Sequence, residues 1–168
     1  RAFGANLVFT RFRGHGRDGD AMAEATASDW LSDAAEALAV ARATGERVVI
    51  LATSTGATIA AVALQDPALQ EQVAGVIFVS PNFGINSPFA PLLTWPGARH
   101  WLPLVAGRRR SFPPLNPAQA AEWTTDYPST ALFLMAALVA HARALDFGTM
   151  TLPALFYYSD ADQVVRPD

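Results

Sequence analysis

The chain is 168 residues long, 51% apolar and 16% charged, with a formal net charge of −3. That length suits one domain, and the apolar content excludes a disordered chain. With no basic excess a nucleic-acid reader is not expected, no apolar run approaches the roughly 18 residues of a membrane span, and the lack of cysteine excludes disulfides, thiolate metal sites and a Cys nucleophile.

Ala5 to Thr10 (ANLVFT) has the composition of a short buried strand, and Arg11-Phe12-Arg13-Gly14-His15-Gly16 is a glycine-punctuated loop. Ser28 is a candidate N-cap, Asp29 and Asp33 suit the positive end of a helix, and Trp30, Ala34, Leu38 and Ala41 recur near helical spacing. The helix is predicted over Asp29–Thr44, stopped by Gly45. Arg47–Thr53 (RVVILAT) has the β-branched character of a strand buried on both faces. Gly56–Leu64 is predicted helical, ending before Asp66-Pro67, and Val73–Ser80 is the next buried strand.

The segment 81–128 then holds nine of the twelve prolines and three of the four tryptophans. That density of proline forbids a long helix or central strand. One short helix is predicted there, with Asn116 as N-cap, Pro117 in its first turn and Gln119 three residues after the cap. Arg108-Arg109-Arg110 is expected to be a solvated corner. Ser129–Leu145 returns to helix and Pro153–Ser159 is the last strand. The alternation predicts an α/β fold, a parallel sheet with helices on both faces. The chain divides into core (1–80), insertion (81–128) and core again (129–168), and it looks cut inside a domain at both ends.

The junction Ala52-Thr53-Ser54-Thr55-Gly56 is the informative one. A buried strand passes straight into a helix, and small residues stand two positions either side of Ser54. Such a turn lifts the Ser54 hydroxyl off the carboxyl edge of the sheet. It also aims the Thr55 N–H at the same space, the layout of a nucleophile elbow. The competing reading is that Ser54 merely caps the following helix.

A nucleophilic serine needs a base, and the base an orienting acid. Asp160 and Asp162 compete for the acid, both following a strand at the carboxyl edge. Asp162 is preferred, because Val164-Val165 should dock and hold its loop. The three histidines fit the base poorly. His15 sits in a glycine loop, His100 in the insertion, His141 on a helix face, and none follows the acid.

In order, Gly14-His15-Gly16, Asp29-Trp30 with Asp33, the turn at Ser54, and Ser159-Asp160-Ala161-Asp162 resemble the α/β-hydrolase superfamily. The nearest group is that of carboxylesterases, monoacylglycerol-lipase-like enzymes and serine-aminopeptidase-like hydrolases. The resemblance spans nearly the whole chain, with 81–128 as the cap or lid. It implies Ser54 as nucleophile, the Thr55 N–H as one oxyanion donor and Asp162 as the triad acid. The family's first elbow glycine is Ala52 here. Its oxyanion loop would precede Ala5–Thr10 and its catalytic histidine would follow a further strand, so neither lies in these residues. One family strand between those matching Ala5–Thr10 and Arg47–Thr53 is also missing, so a gap in the sheet is expected.

The implied activity is hydrolysis of carboxylic esters. Phe89, Leu92, Leu93, Trp95 and Trp101 of the insertion would offer apolar surface to an acyl chain, although cap packing accounts for most of them. No metal or organic cofactor is implied. The alternative is a non-catalytic α/β-hydrolase-fold protein that binds a ligand or partner. A serine at the elbow argues against dehalogenases and epoxide hydrolases, which use aspartate there; peptidase, thioesterase and acyltransferase activities stay open. The expected partner is a small ester or acyl substrate, with a complementing polypeptide or a second copy covering the open strand edges. No signal peptide precedes the first strand, so a cytoplasmic location is expected.

Overall fold

A computed structural model describes residues 4–166. Residues 5–10 form no strand. They run extended and mostly exposed, with Leu7 and Phe9 facing solvent, and are tied down by Asn6 Nδ2, which donates to the Thr44 carbonyl at 2.5 Å. Apolar composition suggests a strand, but a strand exists only where a neighbour completes its ladder. Among the described residues none does so. In the following loop Gly14 adopts φ 83°, and a Cβ there would lie 2.7 Å from the Ala21 carbonyl oxygen, so this turn requires glycine.

The first helix, α1, spans Ala27–Thr44 and is capped by Thr26, not Ser28. The Thr26 hydroxyl oxygen accepts from the Asp29 N–H at 3.1 Å, and the Asp29 carboxylate accepts from the Thr26 N–H at 2.9 Å and from its hydroxyl at 2.7 Å. These bonds from Thr26 hold the Asp29 carboxyl below its ordinary pKa. The reciprocal partner three residues on is what selects Thr26, since Thr and Ser are alike as N-cap residues.

Strand β1 (Val48–Thr53) enters helix α2 (Thr55–Ala63) with only Ser54 between them. A one-turn helix, α3 (Pro67–Gln70), leads to strand β2 (Val73–Val79). Arg42 near the end of α1 donates to the carbonyls of Ala68, Leu69 and Glu71, which anchors α3.

The 81–128 segment holds more structure than its prolines suggest. Helix α4 (Ala98–Ala106) contains Pro103 at its sixth position, where the missing N–H leaves the Arg99 carbonyl without its donor four residues on. Strand β3 (Arg109–Ser111), helix α5 (Pro117–Glu122) and strand β4 (Asp126–Pro128) follow, with Asn116 capping α5. β3 and β4 pair antiparallel, a ladder that their polar sequences do not suggest. The arginine triplet is more than a solvated corner. Arg109 forms ion pairs with Asp20 at 2.6 Å and Asp126 at 2.7 Å, joining the segment to the loop before α1.

Helix α6 (Ala131–Arg143) and strand β5 (Ala154–Tyr157) complete the chain. The sheet order is β1-β2-β5, all parallel, with Thr53 opposite Val79 and Val79 opposite Tyr157. One face packs on α1 and α2 through Leu38, Val48, Ala52, Ala57, Ala61, Val76 and Phe78. A second cluster joins Trp30, Ile59, Val62, Leu138 and Ala142 on the far side of α2. The expectation of burial on both faces is met on one only among the described residues. On the other face Val49, Leu51 and Leu155 are 62%, 68% and 59% exposed.

Replacing Thr26 by alanine is expected to lower stability by about 1 kcal/mol, the usual cost of a lost N-cap. Ser28→Ala should be near neutral. Urea denaturation of both variants checks the assignment, and a larger loss at Ser28 would contradict it.

Candidate functional site

Ser54 stands at the carboxyl end of β1 with φ 51° and ψ −123°. This is sparsely populated backbone for a residue bearing a Cβ, of the kind that persists only where the surroundings dictate it. The surroundings here are three hydrogen bonds. The Ser54 N–H donates to the Val79 carbonyl at 3.0 Å, and the Ser54 carbonyl accepts from the N–H groups of Ala57 at 3.0 Å and Asn82 at 3.1 Å. The Ser54 side chain makes no cap bond to α2, which removes the plain N-cap reading. Ala52 is buried, whereas a Cβ on Gly56 would meet only the Phe12 ring edge at 3.9 Å. The turn therefore asks for a small residue at 56, not glycine specifically.

Thr55 opens α2, so its backbone N–H is among the amides without an intrahelical acceptor. The positive end of the helix dipole lies there too.

Asp162 lies in the loop after β5, half-buried, whereas Asp160 is exposed. One carboxylate oxygen of Asp162 accepts from the Val164 N–H at 2.8 Å and the Val165 N–H at 3.0 Å. These two backbone bonds, Val165 first, hold the carboxyl below its ordinary value of 3.8, and the Ser80 hydroxyl adds to the effect. Only half of the expected docking pair is in place: Val165 is buried, Val164 is 73% exposed. Val165 also bridges Ile85 of the 81–128 segment, and Asn86 Nδ2 donates to the Asp162 carbonyl at 2.9 Å.

None of the three histidines bonds Ser54 or Asp162 among the described residues. His15 packs on the rings of Phe12 and Trp30, with Trp30 Nε1 donating to the Arg13 carbonyl at 2.9 Å. His100 on α4 and His141 near the end of α6 are exposed.

The family model for serine aminopeptidases, S33, matches residues 2–168. The chain belongs to that family. A solved structure reported for LipS and LipT, two metagenome-derived lipolytic enzymes, matches 94% of the S33-family chain at 24% identity with a TM-score of 0.73. The likeness speaks for the fold, α/β-hydrolase, and the chain spans 61% of that structure's length. A structure of a candidate aryl esterase from Burkholderia cenocepacia is 15% identical with a TM-score of 0.49, covering 92% of this chain and 61% of that one, too distant to carry an argument. No curated protein matches.

The clefts bounded by described residues of this S33-family chain include two of several hundred cubic ångströms. One, of about 450 Å³, runs between the 84–94 stretch and α6, with Arg143 and Arg166 on its wall. The other, of about 330 Å³, is bounded by Pro81, Phe83, Phe156, Tyr158 and Asp162. Neither is lined by Ser54, nor by Phe89, Leu92, Leu93, Trp95 or Trp101. Phe89 and Trp95 are exposed; Leu92, Leu93 and Trp101 are half-buried. Among the described residues no group of three or more His, Cys, Asp or Glu side chains is arranged to hold a metal, and no helix is long and apolar enough to cross a membrane. Sequence reasoning missed Asn82, buried against the Ser54 turn, and Ser80, which reaches the Asp162 carboxylate from a backbone at φ 40°. A lone Ser or Asn beside proline carries no pattern that could have revealed either.

Because the Asp162 pKa is depressed, the stability it lends is present above its unfolded value and lost as pH falls through the folded one. The loop should therefore stay ordered down to the lower carboxylate range. Titration of the Asp162 carboxyl by NMR, with the Val164 and Val165 amides followed in parallel, should show one shared transition below 3.8. A transition above that value would contradict the assignment.

Proposed function

We propose that this chain is the central part of a serine hydrolase that acts on carboxylic esters, with Ser54 as nucleophile. The observation that carries the reading is the strained Ser54 backbone at φ 51° with a hydroxyl that caps nothing. A serine kept for capping would sit in the extended region and bond a first-turn amide. In the proposed reaction the Ser54 Oγ adds to the ester carbonyl carbon while a histidine takes its proton. The Thr55 N–H is one donor to the developing oxyanion. Collapse expels the alcohol, which leaves with the proton the histidine held. Water then repeats the sequence on the acyl-enzyme, releasing the acid and restoring Ser54. Asp162 orients the histidine, and its carboxylate stays ionised because two backbone amides hold it.

The base is assigned outside residues 1–168, since His15 is committed to ring packing and the other two histidines face solvent. The 81–128 segment is read as the cap, with Phe89 and Trp95 as exposed apolar surface for an acyl chain. The same lack of a histidine at Ser54 favours the second reading, a non-catalytic ligand-binding protein.

In the full-length protein, Ser54→Ala should abolish p-nitrophenyl butyrate hydrolysis with the fold intact. Loss of the nucleophile costs on the order of a million-fold in a well-studied serine protease. Asp162→Asn should be next most damaging and Asp160→Asn distinctly milder; the reverse ranking would move the acid to Asp160. A fluorophosphonate that leaves Ser54 unlabelled would favour the non-catalytic reading. Residues 1–168 alone should turn over poorly; brisk hydrolysis by them would bring the base back to His15, His100 or His141.

A further inference from the structure

Asn82 is 4% exposed beside the Ser54 turn, and all of its polar groups but one are engaged with that turn or with α2. Its N–H donates to the Ser54 carbonyl at 3.1 Å. Its carbonyl accepts from the fully buried Thr58 hydroxyl at 2.5 Å. Its side-chain Nδ2 donates to Thr55 Oγ1 at 3.4 Å. The remaining atom, Oδ1, is buried without a partner. The two backbone bonds do not depend on the side chain, proline aside, so the amide itself is what needs explaining. An orphaned buried carbonyl is a cost, and an apolar residue of similar size would pack here without it.

We propose that Asn82 is a positioning residue: its amide holds the Thr55 side chain and so fixes the direction of the Thr55 N–H toward the oxyanion. The proposal rests on the Ser54 reading above. Thr55 is held on one side by the peptide it shares with the strained Ser54 and on the other by the start of α2. Without the amide its Oγ1 has no tether to the segment after β2. The contact is long at 3.4 Å, which makes it the weakest of the Asn82 bonds and the one that a substitution removes. Ser80, two residues earlier, faces the Asp162 carboxylate, so one short stretch touches both the nucleophile turn and the acid loop.

The test uses the full-length protein, p-nitrophenyl butyrate and a fluorophosphonate. Asn82→Ala should lower kcat by roughly ten- to a hundred-fold, less than outright loss of an oxyanion donor, with KM within about twofold of the parent. The rate of fluorophosphonate labelling should fall in proportion. Thr55→Val, which keeps the backbone N–H, should lower kcat similarly, and the double variant should be no worse than either single one. A lowered melting temperature with kcat and labelling at parental rates would reduce Asn82 to a packing role and overturn the proposal. So would multiplicative losses in the double variant. If Asn82→Ala does not fold, Thr55→Val decides alone, and parental rates there overturn it. A parent that never labels at Ser54 removes the Ser54 reading itself and the proposal with it, an outcome distinct from a reactive parent with an indifferent Asn82 variant.

Discussion

The hydrogen bond from the Ser54 amide to the Val79 carbonyl, 3.0 Å long, is the last rung between β1 and β2, and it obliges the chain to leave the sheet at Ser54. One residue then has to reverse the chain from strand into helix. Ser54 makes that reversal at a positive φ of 51°. The strain is tolerable because the Ser54 carbonyl is bonded twice and because Ala57, fully buried, lets α2 settle close on the strand.

Helix α2 inherits a central place from that turn. Ala57, Ala61 and Leu64 pack on the sheet, while Ile59 and Val62 pack away from it on Trp30, Leu138 and Ala142. Both hydrophobic clusters therefore meet on one nine-residue helix. A helix buried on both sides cannot shift without disturbing two layers, and close-packed interiors resist such shifts. The orientation of the Ser54 turn is thus set by the core rather than by the loops above it. The sheet is less evenly served: its second face, with Val49, Leu51 and Leu155, lies open among the described residues.

What was legible in the sequence follows from how local each signal is. β1, β2, α2 and α6 are marked by apolar runs bounded by Gly, Pro or Asp, and the structure starts or ends them within about two residues of the expected positions. The turn at Ser54 is legible because small residues flank it. The cap of α1 is not legible as Thr26, because Ser28 is equally of N-cap type and only the reciprocal carboxylate of Asp29 separates them. α4 was hidden by Pro103, and β3 with β4 by their charged and aromatic side chains. Asn82 was illegible for a different reason. Its partners, Ser54, Thr55 and Thr58, lie more than twenty residues back in the chain, and no local pattern encodes that meeting.

The strand order turns these local facts into a spacing. Ser54 follows β1 and Asp162 follows β5, with β2 between them. Parallel neighbours lie about 4.8 Å apart, so the two strand ends are separated by roughly 10 Å. A serine, an imidazole and a carboxylate joined by two hydrogen bonds of about 3 Å each span a comparable length once the ring is counted. In the proposed reading, the order β1-β2-β5 puts one strand between the serine and the acid, a spacing that suits one intervening imidazole. Just past the end of β2 stands Ser80, whose amide is bonded to the Tyr157 carbonyl at 2.8 Å and whose hydroxyl bonds the Asp162 carboxylate. In that reading the end of the middle strand is the spacer between the two groups.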